Sequence, residues 1–199
     1  IRCTLHDLIG RQAPGRLKGR VRLGLGSFED KPSAQAPDIY TYKHHQNLTE
    51  EFARVLAQLR RTSTYGNYDE PEAQLEAMLE AALRAGQIGY ASDAARFLVV
   101  VTDAGYHRPG DYGAPPEDGR ADGNPTNEDY PSVAQVRQAL QGSDLVPLFL
   151  VTSDVAGEYR ALVGQLGRGG VAVLSSSSGN LLEALNGAVT SVCGEGFTQ

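Results

Sequence analysis

The stretch Phe97-Leu98-Val99-Val100-Val101-Thr102-Asp103-Ala104-Gly105 decides how the chain is read. A continuous apolar run with three valines marks a strand buried on both faces, as in a parallel sheet. Leu145–Val151 and Gly170–Leu174 read the same way. Between and after these runs, helical patterns fall at Ser132–Leu140, Val155–Leu166 and Leu181–Val192. Strand and helix alternate, which predicts an α/β fold: a doubly wound, mostly parallel sheet flanked by helices.

The first half is less regular. Val21–Phe28 reads as a strand ending in the turn residues Glu29-Asp30-Lys31-Pro32, and Ile39–His44 reads as a second strand. Thr49–Arg60 sets Phe52, Val55, Leu56 and Leu59 on one helical face, with Thr49 as the N-cap. Pro71–Ala85 repeats the pattern with Leu75, Met78, Leu79, Ala82 and Leu83, and Pro71 suits a first helical turn because its missing N–H needs no partner there. Gly24-Leu25-Gly26 lies inside a strand pattern with no third glycine and no helix directly after it, so it reads as packing and not as a nucleotide loop. His44 and His45 are neighbours on a strand and point to opposite faces.

A chain of 199 residues that is 41% hydrophobic suits one domain with a sizeable core. The net charge of −6, with no stripe of aromatics beside the local basic cluster at Arg11–Arg22, argues against nucleic acid and suits hard cations. No apolar run is long enough to cross a bilayer. The two cysteines, Cys3 and Cys193, form neither a disulfide framework nor a zinc pattern; they pair if the terminal helices lie side by side, or remain thiols. The start at Ile1-Arg2-Cys3 shows no initiator Met and no signal peptide, so a trimmed start is expected and targeting is not readable.

Two clusters point to chemistry. The Phe97–Val101 strand aims Asp103 at the top of the sheet, and the small residues beyond it leave room for a ligand. A carboxylate held there is a good ligand for a hard cation; the alternative is a carboxylate that merely caps a turn. Gly66-Asn67-Tyr68-Asp69-Glu70-Pro71-Glu72 collects oxygen donors in a short loop before a helix, without the EF-hand spacing, and helix capping is its alternative. The long stretch Gly105–Tyr130, rich in Gly, Pro, Asp and Asn, follows the strand edge where open α/β sheets bind ligands. His107 lies close to Asp103 in sequence and either approaches the same site or is a solvated loop histidine. Ser175–Ser178 is a serine run at a strand end, and Asn47-Leu48-Thr49 is a glycosylation sequon. No nucleophile elbow, Walker loop or nucleophile–base pair is visible.

These pieces follow one order, and that order resembles the integrin β-subunit I-like domain of von Willebrand factor A type. Val21 through Pro32 looks like the family's second strand and turn, and Gly66 through Glu72 is similar to its Asn-x-Asp-x-Pro-Glu loop. Phe97 through Gly105 resembles the strand leading into its Thr-Asp-Ala motif. Tyr130-Pro131-Ser132-Val133-Ala134 looks like the start of its next helix, and Val171 through Ser175 like its last strand. The resemblance covers nearly the whole chain, read as a single domain over residues 1–199. It implies a metal-ion-dependent adhesion site holding magnesium or manganese, with Glu72 and Asp103 as ligands. It implies a neighbouring calcium site with Asp30, Asn67, Asp69, the Pro71 carbonyl and Glu72, and it places the Ser176 carbonyl at a third site. Tyr106 and His107 would form the rim. The function implied is cation-dependent adhesion or protein recognition outside the cell, through an exposed carboxylate of the partner, with no catalysis.

Departures from the family bear on this. The Asp-x-Ser-x-Ser strand is not in the sequence, and Ile1–Ile9 looks like the middle of the helix that follows it, so a fragment with its first strand missing is expected. The family's long specificity loop is cut to a few residues between Pro32 and Tyr42, which argues against pairing with an integrin α subunit and for a stand-alone relative. The rival readings are an intracellular A-domain serving as an assembly subunit of a larger complex, and an enzyme using Asp103 with magnesium.

Overall fold

A computed structural model describes residues 21–32, 38–63, 71–111 and 130–193 of the chain. Among the described residues the order is β1 (Leu23–Ser27), β2 (Lys43–Thr49), α1 (Phe52–Arg61), α2 (Gln74–Leu83), the short α3 (Ala85–Ile88), β3 (Phe97–Thr102), α4 (Val133–Gly142), β4 (Val146–Val151), α5 (Ala156–Leu166), β5 (Gly170–Val173) and α6 (Leu181–Cys193). Strands β3, β4 and β5 form a parallel sheet in that order, with Val99 opposite Leu148 and Leu148 opposite Gly170. Parallel neighbours need long crossovers, and α4 and α5 provide them. The mixed α/β fold with a parallel sheet flanked by helices is therefore the one the alternation predicts.

The middle strand organises the core. Side chains alternate across a strand, so Phe149 and Val151 of β4 enter one cluster with Leu75 and Met78 of α2, Val136 and Leu140 of α4, and Tyr159 and Leu162 of α5. Leu148 and Leu150 enter the opposite cluster, with Leu181, Ala184 and Ala188 of α6. β4 is thus buried on both faces.

β3 is not, which corrects the reading of its apolar run. Val100 is buried, but Val99 is 40% exposed. The cause is the position of α6, which packs over β4 and β5. On that side of β3, Phe97 and Val101 are only half covered.

β1 and β2 form a separate antiparallel pair, and α1 packs on it through Val55. β2 runs over Lys43–Thr49 and not Ile39–His44. Its polar composition hides it from any alternation rule. Close approach explains Gly24 and Gly26: a Cβ on Gly24 would lie 2.9 Å from the Gln46 carbonyl, and one on Gly26 would lie 2.8 Å from the Tyr42 ring. The packing role expected for this Gly-x-Gly is the one seen.

Two helix starts fall later than expected. Thr49 does not cap α1: its Oγ1 accepts the Glu51 N–H at 3.0 Å in the turn before it, and the helix begins at Phe52. α2 begins at Gln74 and not Pro71, because the Glu72 and Ala73 amides donate sideways to Gly105 and Glu29. Ser132 does open α4, through a reciprocal box in which its Oγ accepts the Gln135 N–H while Gln135 Oε1 accepts the Ser132 N–H. Cys3 lies outside the described residues, as does the side chain of Cys193.

The asymmetry between β4 and β3 is testable by urea denaturation. Phe149→Ala is expected to cost about 3–5 kcal/mol and Leu148→Ala about 2–5 kcal/mol. Val99→Thr should stay within roughly 0.5 kcal/mol of the wild type, as surface substitutions do.

Candidate functional site

β3 ends in a turn braced from beneath. Thr102 Oγ1 accepts the Ala104 N–H at 3.1 Å and Gln74 Nε2 at 3.2 Å. The Ala104 carbonyl accepts the Tyr159 hydroxyl at 3.0 Å. Thr102, and not Asp103, closes this turn, and Asp103 stands exposed at its outer side. Gln74 and Thr102 are themselves buried, so a polar contact inside the fold sets the direction of the exposed carboxylate above it.

A second segment runs beside this turn. Glu72 donates its N–H to the Gly105 carbonyl at 3.0 Å and accepts the His107 N–H at 3.0 Å. The result is a one-residue parallel bridge between Glu72 and Tyr106. On its other side, the Ala73 N–H donates to the Glu29 carbonyl at 2.9 Å. Backbone from the end of β1, the entry to α2 and the exit of β3 therefore lies in one row. Pro71 and Glu72 are half-buried on this row.

Asp30 sits below the row, buried. Its Oδ1 accepts the Tyr130 hydroxyl and, at 2.7 Å, the Lys31 N–H. Its Oδ2 lies 3.3 Å from His107 Nε2. Burial alone would raise the Asp30 pKa, but His107, Tyr130 and the Lys31 amide together outweigh it and hold the carboxyl below the usual carboxylate range. The His107 ring stacks on Tyr130 with centroids 4.3 Å apart. Lys31 Nζ lies 4.9 Å from the Tyr130 centroid and 3.7 Å from Glu76 Oε2, in an ion pair whose side chains are 3% and 2% exposed. Burial, followed by the bond to Asp30, raises the Tyr130 hydroxyl pKa, so this phenol stays a donor.

Tyr106 and His107 differ from the rim residues expected. Both are buried, because the bridge to Glu72 draws their backbone into the row. Tyr106 packs edge-on to Tyr159 at 5.8 Å. The room foreseen beyond Asp103 is also partly taken: a Cβ on Gly105 would lie 2.8 Å from Glu158 Oε2. Glu158 comes from the first turn of α5 and pairs with Arg108 at 2.8 Å. No motif in the sequence singles it out.

Ser176 stands exposed in the turn after β5. That turn is pinned by Asn180, whose Oδ1 accepts the Ser175 N–H at 2.7 Å and whose Nδ2 donates to the Val173 carbonyl at 2.9 Å. Asn67, Asp69 and residues 112–129 lie outside the described residues. Among the described residues, no three His, Cys, Asp or Glu side chains are grouped to hold a metal ion. The described donors Glu72, Asp103 and the Pro71 carbonyl suit a hard cation in kind and fall short of a full shell in number. A carboxylate has about four lone-pair sites, so the donors around Asp30 and a cation are not mutually exclusive.

On the hairpin, Ser27 Oγ lies 2.7 Å from His45 Nε2 and 2.7 Å from the Tyr40 hydroxyl, a Ser–His contact that the sequence reading does not contain. Burial, followed by Lys43 and His44, depresses the His45 pKa. His44 instead meets Tyr42 and Asn47, so the adjacent histidines have separate partners.

The model of the integrin beta chain VWA domain matches residues 32–194. The chain is 33% identical to human integrin beta-7 over 204 residues, which is 86% of this chain and 25% of that protein. It is 32% identical to pig integrin beta-2 over 84% of this chain and 25% of that protein, and 29% identical to integrin beta-PS of Drosophila melanogaster over 90% of this chain and 24% of that protein. The chain thus spans about a quarter of the length of these relatives. No helix among the described residues is long and apolar enough to cross a membrane. With the parallel sheet, the Thr102-Asp103-Ala104 turn and a family match over most of its length, the chain belongs to the integrin β chain VWA-domain family.

Proposed function

We propose that this chain is a divalent-cation-dependent recognition module of the cell surface that binds an exposed carboxylate of a protein partner and catalyses no reaction. The observation that carries this is the backbone bridge between Glu72 and Tyr106. It holds the entry to α2 against the turn that bears Asp103, at the sheet edge where open α/β folds bind ligands.

Glu72 and Asp103 would hold magnesium or manganese. Asp30, Asn67, Asp69, the Pro71 carbonyl and Glu72 would hold calcium, and the Ser176 carbonyl would face a third ion. Asn67 and Asp69 enter this set through the family motif alone. A bound hard cation with an incomplete shell supplies the positive centre that attracts a carboxylate. The chain's own contribution is to brace the turn through Gln74, Thr102 and Tyr159 and to hold Asp30 ionised beneath it. Tyr106 and His107 act as supports under the edge. We read residues 1–199 as belonging to a single A domain that works without an integrin α subunit.

Thermal melts in EDTA and then with calcium, magnesium or manganese test the proposal. Each ion that binds only the folded chain should stabilise it by about 2.7 kcal/mol at a hundredfold excess over its dissociation constant. Asp103→Asn should remove the magnesium and manganese increments, and Asp69→Ala the calcium increment. No shift with any ion contradicts the proposal.

The support beneath the site has its own signature. Tyr130→Phe keeps the ring stacked on His107 and removes one donor from Asp30, at an expected cost of roughly 1–3 kcal/mol in urea denaturation with EDTA present. Asp30 ionises below its ordinary value of 3.8 in the folded chain. The stability it contributes is therefore complete above that value and is lost as the pH falls through the lower folded pKa. Asp30→Asn should flatten that acid limb and lower stability at neutral pH.

A further inference from the structure

We propose that Asn47 is an acceptor for an N-linked oligosaccharide. The triplet Asn47-Leu48-Thr49 is the one usable sequon in the chain, since Asn124-Pro125-Thr126 carries a barring proline. A sequon alone is weak; its setting makes the case.

Asn47 is exposed on β2, which pairs only with β1 among the described residues. The register sets Leu23 opposite Thr49 and Leu25 opposite Gln46. Two steps along β1 therefore match three along β2. The extra residue is a bulge at Asn47-Leu48, and bulges leave a residue out of the ladder.

The amide is also oriented. His44 Nε2 donates to Asn47 Oδ1 at 2.6 Å, and the Tyr42 hydroxyl lies 3.2 Å from His44 Nδ1. With the proton on Nε2, Nδ1 accepts from Tyr42, and the three side chains form one chain of donors. It holds the Asn47 amide by its oxygen, so the hydrogen bond engages Oδ1 and not Nδ2, the atom that is modified.

The step balances with a co-reactant of the secretory pathway, an oligosaccharide on a lipid pyrophosphate. Asn47 Nδ2 forms a bond to the anomeric carbon and loses a proton. The anomeric C–O bond breaks, and the lipid pyrophosphate leaves with its electron pair. The glycan would then cover the edge of β2 away from β1, which has no other strand beside it among the described residues and would otherwise invite one. Asn47 lies beside Gly24, toward the start of β1, whereas Asp30 follows its end. At about 3.3 Å per residue the six residues from Gly24 to Asp30 span at most roughly 20 Å, and the glycan sits at the end of the pair away from the cation edge.

The inference rests on the cell-surface reading. Its test is expression of the full chain behind a secretory leader in eukaryotic cells. Gel mobility is compared before and after an amidase that removes N-linked glycans, in lysate and medium together. The wild type and Thr49→Ser should shift; Asn47→Gln and Thr49→Ala should not. An unshifted wild type, or a shift that persists in Asn47→Gln, overturns the proposal. Either result leaves the cation response of the unglycosylated chain intact, and that response is measured separately by melting it with and without calcium.

Discussion

The two hydrogen bonds that Glu72 exchanges with Gly105 and His107, each 3.0 Å long, are the contact on which the rest of the site depends. They join a segment with no strand of its own to the exit of the parallel sheet. The neighbouring bond from Ala73 to Glu29 extends the row to β1. Through these few amides the antiparallel pair, the entry of α2 and the turn after β3 form one edge. Without them, Asp103 and Glu72 would belong to loops with no fixed relation.

What lies beneath that edge is polar and buried, which is costly unless every group finds a partner. Asp30, His107, Tyr130, Lys31 and Glu76 find partners largely in one another, from segments far apart in sequence; Asp30 and Tyr130 are 100 residues apart. Such a network ties the turn after β1 to Tyr130, two residues before the capping box of α4. It also explains why Tyr106 and His107 are buried: the edge is supported from inside, and Asp103 stands exposed above it.

Much of this was legible in the sequence, and the limits have physical causes. The apolar runs at Phe97–Val101 and Leu145–Val151 mark parallel strands because burial leaves a local record. The position of Asp103 at a strand end follows from the same runs. The exposure of Val99 depends on how far α6 reaches across the sheet, which no window around Val99 contains. Pro71 looks like a helix start, but Glu72 and Ala73 spend their amides on distant carbonyls. Glu158 reaches Gly105 through the packing of α5, and the clamp around Asp30 joins remote residues. Periodicity reports which face a residue presents, and these contacts depend on which segment that face meets.

The most direct measurement is the broadening of backbone amide signals by substoichiometric manganese, whose unpaired electrons relax nearby protons. A cation held at the proposed edge broadens Glu72 and Asp103 through Tyr106 first and spares Phe97 and Val146. These two residues pair at the opposite end of the parallel strands, roughly 20 Å away for strands of six residues. Broadening centred on that opposite end, or no site-specific broadening at all, would contradict the cation-dependent account.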